Sequence, residues 1–246
     1  TYVIELCPVR YLPTLTMLSA RHTAVKKKRA KYFGGFAASK FGTNKKGVKK
    51  LPELATRGVL SDLKGTEEEI SRAAIIMNGE EYQHTTRNIF LKNVADYRVV
   101  LVGTHALVHR GAFDESAFIF EEEAGEKNYV NELDIAPLRL NAELMVLSAC
   151  NTGQGKMHAT EGPLSLGRAF FQTGCPAVVM GLWPLNDQST SEITGIFFEK
   201  IRDGLPKHIA LQQAKREYLK SVKDPYRKHP YFWAGLVLAG DTDPVK

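Results

Sequence analysis

Residues Leu144-Met145-Val146-Leu147-Ser148-Ala149-Cys150-Asn151-Thr152-Gly153 decide how this chain is read. Four apolar residues run into a small polar segment holding a cysteine, and Gly153 and Gly155 let the following loop bend close to a ligand. A short apolar run bounded by such turn residues reads as a buried strand. Its thiol then stands at the carboxyl end of a strand, the edge where open α/β sheets carry their ligand sites. A second run, Val99-Val100-Leu101-Val102-Gly103, has the same character and ends in Thr104-His105. An attacking thiol must be accessible and partly ionised, and a histidine near neutral pKa can take up its proton and return it. Cys150 and His105 at the tips of two core strands are thus the minimum equipment of a cysteine protease. Each has an ordinary alternative: a small buried core residue for Cys150, a satisfied histidine at a strand end for His105.

Outward from these two runs, strands and helices alternate. The pattern predicts strands at Ser116–Phe120, Ala177–Leu182 and Phe232–Ala239, besides Val99–Gly103 and Leu144–Ala149. Helices are predicted over Pro163–Gln172, Asp187–Arg202 and Pro206–Val222. Nearly all-apolar strands separated by helices imply a mostly parallel sheet covered on both faces, hence an α/β fold. The first part is less regular. It offers β-like pieces at Tyr2–Leu6 and Tyr32–Ala37, and a helix ending at Met77 that opens on a capping-box spacing, Thr66 and Glu69. A further helix is predicted over Thr86–Ala95, with Ile89, Phe90 and Val94 on one face. We read residues 1–246 as one domain, with an irregular part (1–97) and a catalytic core (98–246). The chain opens without Met in a strand-like stretch, so it reads as the carboxyl-terminal portion of a longer protein.

Composition narrows the function classes. With 43% hydrophobic and 24% charged residues a soluble globular protein is expected, and no apolar run approaches the roughly 20 residues of a membrane span. There is no charged stretch followed by a long apolar one at the start, so no signal peptide is read. Three cysteines without CxxC spacing argue against a zinc ribbon or a disulfide framework and suit a reducing cytoplasm. The net charge of +6 comes largely from Lys26–Lys31 and Lys45–Lys50. These runs lack interleaved aromatics and read as solvated loops; a nucleic-acid-binding α/β domain is the alternative they leave.

Other chemistries fit poorly. His105 and His109 have the i, i+4 spacing of a zinc-binding helix, but Ala106 stands where HExxH requires glutamate. Gly155-Lys156 is followed by Met157, against a phosphate loop, and His158 occupies the third glycine of a dinucleotide fingerprint. No metal and no cofactor is therefore expected. Trp183-Pro184-Leu185-Asn186-Asp187 follows the next strand on the same sheet edge. Trp183 and Asp187 could line a substrate pocket, or Asp187 could cap a helix beginning at Gln188; the two readings are compatible.

Taken in order, Thr104-His105-Ala106, Leu147–Gly153, Glu161-Gly162, Gly181-Leu182-Trp183-Pro184 with Asp187, and His229-Pro230-Tyr231-Phe232-Trp233-Ala234 resemble the CHAT domain, a caspase-like protease family of the caspase–separase clan. The resemblance implies a caspase-like α/β/α sandwich and a Cys150–His105 dyad. It implies an oxyanion hole built from the backbone N–H groups of Cys150 and Ala106, the latter where caspases have glycine. It places Asp187 near the primary specificity pocket, which suggests cleavage after Arg or Lys. The partners it implies are a protein substrate and a sensor or repeat module that switches the domain on, in some members RNA- or nucleotide-responsive and part of bacterial defence. A catalytically silent CHAT scaffold is the competing reading.

Overall fold

The computed structural model describes residues 2–12, 30–41, 60–107, 116–148 and 162–246, with only the backbone of residues 162–166. Its strands, in chain order, are β1 (Lys31–Ala37), β2 (Glu80–Tyr82), β3 (Tyr97–Gly103), β4 (His105–Leu107), β5 (Ala117–Ile119), β6 (Tyr129–Asn131), β7 (Leu144–Leu147), β8 (Ala177–Gly181) and β9 (Leu236–Gly240). The helices are α1 (Val3–Leu6), α2 (Thr66–Met77), α3 (Arg87–Asn93), α4 (Glu132–Ile135), α5 (Gly162–Gln172), α6 (Asp187–Arg202) and α7 (Lys207–Ser221).

Six strands form the main sheet in the order β2-β1-β3-β7-β8-β9. All neighbours are parallel except β8 and β9, which run antiparallel. Val99, Val100, Leu101, Leu144, Met145, Val146, Val178 and Val179 have no exposed surface, as expected of strands covered on both faces. One face packs Phe33, Leu101 and Val146 against Ile70 of α2, Ile193 and Phe197 of α6, and Ala210 and Tyr218 of α7. The other packs Phe36, Val100 and Met145 against Phe90 of α3 and Phe170 of α5. The expected layered α/β architecture is therefore present. The register sets Val102 beside Leu147, so the strand preceding His105 and the strand leading to Cys150 are direct neighbours ending at the same edge.

Beyond that edge β4, β5 and β6 make a small antiparallel sheet with His105 opposite Ile119 and Phe118 opposite Val130. Thr104 marks the break between β3 and β4, and its hydroxyl donates to the Ile119 carbonyl.

Several expectations are corrected at element ends. Tyr2–Leu6 is not a strand: Val3–Leu6 forms a helical turn, because the Glu5 carboxylate reaches back to accept from the Tyr2 backbone N–H at 3.0 Å. The last strand starts at Leu236 rather than Phe232, since Pro230–Phe232 is a 3-10 turn with the His229 ring accepting from the Tyr231 N–H. Thr66 does not cap its helix. Gly65 does, at φ +93°, a backbone conformation that suits glycine, and Glu69 is thereby released from the capping box. Asn186, not Asp187, caps α6, its side chain accepting from the Ser189 N–H at 3.0 Å. No helix among the described residues is long and apolar enough to cross a membrane.

Candidate active site

β3 delivers His105 to the sheet edge and the bend at Thr104 turns its side chain inward. The residue is only 2% exposed. Its Nε2 lies 2.8 Å from the Ser61 carbonyl oxygen. A carbonyl can only accept, so Nε2 carries the proton and Nδ1 is the nitrogen with a lone pair in the neutral ring. Phe41 packs against the imidazole with centroids 4.5 Å apart. Main-chain oxygen and aromatic ring together fix the tautomer and the orientation of His105. Ala106 is buried in β4, opposite Phe118.

Cys150 lies outside the described residues, as do Ala149 and residues 151–161. So do His109 and the lysine-rich stretches, apart from Ala30-Lys31. What is seen of the thiol-bearing segment is its approach. β7 is prolonged by Ser148, whose N–H donates to the Val102 carbonyl at 2.9 Å. Ser148 stands two positions before the thiol, and its Oγ donates to Glu69 Oε2 at 2.7 Å.

A cavity of about 320 Å³ opens between these strand ends and the first turns of α2 and α6. Thr104 and Ser148 line it from the sheet, Glu69 from α2, and Leu185 and Asp187 from the segment after β8. Its acidic character is marked: Glu68, Glu69, Asp187 and Glu192 all face it, against the one lysine, Lys64. Glu192 is already paired with Arg227 at 3.0 Å. Burial raises the Glu69 carboxyl above its ordinary value, the Ser148 and Thr194 hydroxyls pull it back, and Asp187 pushes it up further. Desolvation also raises the Asp187 carboxyl, while the neighbouring His105 acts in the opposite direction. Asp187 is therefore electrostatically coupled to both Glu69 and His105.

Of the residues picked from sequence, His105, Ala106 and Asp187 gather around this edge. Trp183 does not line the cavity. Its indole N–H donates to the Tyr231 carbonyl at 2.9 Å, and with Leu185 it covers Gly235, where an added Cβ would come within 2.5 Å of the indole. Ser61, Glu69 and Thr194 went unrecognised in the sequence. Ser61 contributes only a main-chain oxygen, which leaves no residue signal. The spacing that singled out Glu69 assigned it to the helix start instead.

Several known proteins are similar to this chain in sequence or fold. A family profile described as the CHAT domain matches residues 1–241. Tetratricopeptide repeat protein 28 of Mus musculus is 31% identical over 107 residues, and its Homo sapiens counterpart 30% over 107. The aligned stretch is 44% of this chain but 4% of either relative, so the chain spans a small part of those proteins. Among solved structures, the Arg-specific cysteine proteinase gingipain R superposes with a TM-score of 0.51 at 12% identity, covering 94% of this chain and 52% of that one. Separase in its complex with securin from Saccharomyces cerevisiae covers 92% of this chain and 13% of its own, with a TM-score of 0.44 at 14% identity. The fold is caspase-like, and the chain belongs to the CHAT domain family.

Proposed function

We infer that the chain is a regulated cysteine endopeptidase that cleaves a protein partner through Cys150 and His105. The observation that carries this reading is the seat of His105: Nε2 is committed to the Ser61 carbonyl, at the tip of the strand that pairs with the one leading to Cys150. A histidine held in that tautomer presents Nδ1 as the base. The thiol proton passes to Nδ1, and the thiolate attacks the scissile carbonyl carbon. The backbone N–H groups of Cys150 and Ala106 hold the oxyanion that forms. As the C–N bond breaks, the imidazolium returns its proton to the departing amine. Water then cleaves the thioester and regenerates the thiol. No metal takes part in these steps.

The carboxylates around the cavity favour Arg or Lys before the scissile bond, with Asp187 as the pocket residue. Control by a further module is part of the proposal. The curated relatives carry tetratricopeptide repeats in their name, and family resemblance supplies sensors of RNA or nucleotides in cytoplasmic bacterial defence.

The test is a peptidyl acyloxymethyl ketone with arginine next to the reactive carbonyl, offered to the native chain, Cys150→Ala and His105→Ala. Adduct formation at Cys150 in the native chain, absent in the first variant and strongly slowed in the second, is expected. Adduct formation that persists in Cys150→Ala would sink the assignment. An unreactive Cys150, even with a tetratricopeptide-repeat partner added, would favour the silent scaffold.

A further inference from the structure

Glu69 is 8% exposed, lines the cavity, and forms no ion pair among the described residues. Its partners are two neutral hydroxyls: Ser148 Oγ at 2.7 Å from Oε2 and Thr194 Oγ1 at 2.8 Å from Oε1. A carboxylate buried with hydroxyls alone carries a heavy desolvation cost, normally relieved by a cation or by a proton. The Thr194 hydroxyl suggests which of these serves Glu69. It also lies 2.9 Å from the Thr190 carbonyl, one turn earlier in α6, and it has a single proton to give. When that proton goes to the carbonyl, Oε1 must itself supply the hydrogen between it and Thr194. The hydrogen-bond inventory thus accommodates a neutral, protonated Glu69.

The surrounding charges fit the same state. Asp187 approaches from α6, Glu68 sits on the exposed side of α2, and Glu192 is held by Arg227. Lys64 lines the cavity as an exposed residue, and His105 acts on Asp187. Glu69 is therefore a buried acid surrounded mostly by like charge, with open volume in front of it. Burial and Asp187 both act to hold its proton on.

We propose that Glu69 is the specificity-determining residue of the pocket, and that entry of a basic side chain displaces its proton, so that capture of the substrate residue releases one proton to solvent. This rests on the reading of the cavity as the pocket for the residue before the scissile bond. A guanidinium fits best: it stays charged when desolvated and offers several planar N–H donors to Glu69. Ser148 links the event to chemistry, because the hydroxyl bonded to Glu69 belongs to the strand end that carries Cys150. Ionising Glu69 leaves Ser148 as its donor, so an occupied pocket favours the strand end as it stands.

The proposal is tested by titrating acetyl-arginine amide and acetyl-norleucine amide into the native chain, with calorimetry in buffers of different ionisation enthalpy. Neither ligand requires a reactive thiol, so the result is separate from the fate of the protease reading. Arginine amide is expected to bind about tenfold or more tightly than norleucine amide, with close to one proton released at neutral pH. In Glu69→Gln that preference and the proton release should both fall away. Equal binding of the two amides, or arginine binding without proton release by the native chain, would overturn the proposal. The native-chain measurements stand even if the variant fails to fold.

Discussion

Ser148 Oγ donates to Glu69 Oε2 across 2.7 Å, joining the strand end that carries the thiol to the first turn of α2. The same carboxyl group meets Thr194 of α6, so three elements converge on one acid. Such a junction resembles a structural staple, but its chemistry argues otherwise. Two hydroxyls do not offset a buried negative charge, and the acid faces a cavity rather than solid core.

The first prediction follows from that cost. Burial holds the Glu69 carboxyl above its ordinary value, so the folded chain binds this proton more tightly than the unfolded chain. The linked stability is present below the ordinary carboxylate range and is lost as pH rises through the raised folded value. Glu69→Gln removes the titration and keeps a neutral hydrogen-bonding group. Urea midpoints of native chain and variant between pH 4 and 8 should therefore diverge in favour of the variant as pH rises. Parallel curves would show that folding leaves the Glu69 carboxyl at its ordinary value.

The sequence showed some of this and hid the rest for identifiable reasons. Val99–Gly103 and Leu144–Leu147 were legible because strands buried on both faces are written as unbroken apolar runs. His105 drew attention because a histidine stands one residue beyond such a run. Tyr2–Leu6 was misread because four residues cannot separate a strand period from a helical turn, and the Glu5 side chain decided the matter. Glu69 was noticed for a capping box that Gly65 made unnecessary. Its actual partners lie 79 and 125 positions away, beyond the reach of any local pattern. Ser61 holds His105 through a carbonyl oxygen that every residue possesses.

A second prediction concerns Lys215, buried in α7 with its ammonium group 5.9 Å from the centroid of the Trp233 ring. Burial lowers its pKa from 10.5 to about 7. The unfolded chain binds this proton more tightly, so the linked stability is present above pH 10.5 and is lost as pH falls through about 7. Lys215→Met should stabilise the chain on the acid side by a few kcal/mol, at about 1.4 kcal/mol per pKa unit. The gain should shrink steadily toward pH 10. Denaturation midpoints at pH 6 and 9.5 check this, and an equal gain at both would place the amine in water.

The remaining cysteines give a third. Cys175 is fully buried, its Sγ donates to the Ala177 carbonyl at 3.2 Å, and burial pushes its thiol up to about 12. Cys7 is exposed. Only a thiolate reacts at useful rates. In Cys150→Ala treated with iodoacetamide at pH 8, peptide mapping should find Cys7 modified and Cys175 intact until denaturant is added. Modification of Cys175 at the rate of Cys7 would contradict its burial.

The last prediction tests the contact that sets the cavity wall against β3. Gly103 ends β3 one residue before Thr104, and a Cβ placed there would come within 2.5 Å of Thr66 Cγ2 at the start of α2. The next obstacles, on Ile70, lie at 3.7 Å, an ordinary contact distance. Gly103→Ala should thus overpack this single spot and cost about 1–3 kcal/mol, forcing α2 and the tip of β3 apart. Because that tip carries His105 and α2 carries Glu69, reaction of Cys150 with the arginyl probe should slow in parallel. Thr66→Ser removes the offending methyl and keeps the hydroxyl. Combining it with Gly103→Ala should restore most of the stability and the reaction rate, a coupling well outside simple additivity. If the two changes merely add, the strain lies in the backbone of β3, and the tight seating of α2 on the sheet edge is not what places Glu69 beside Ser148.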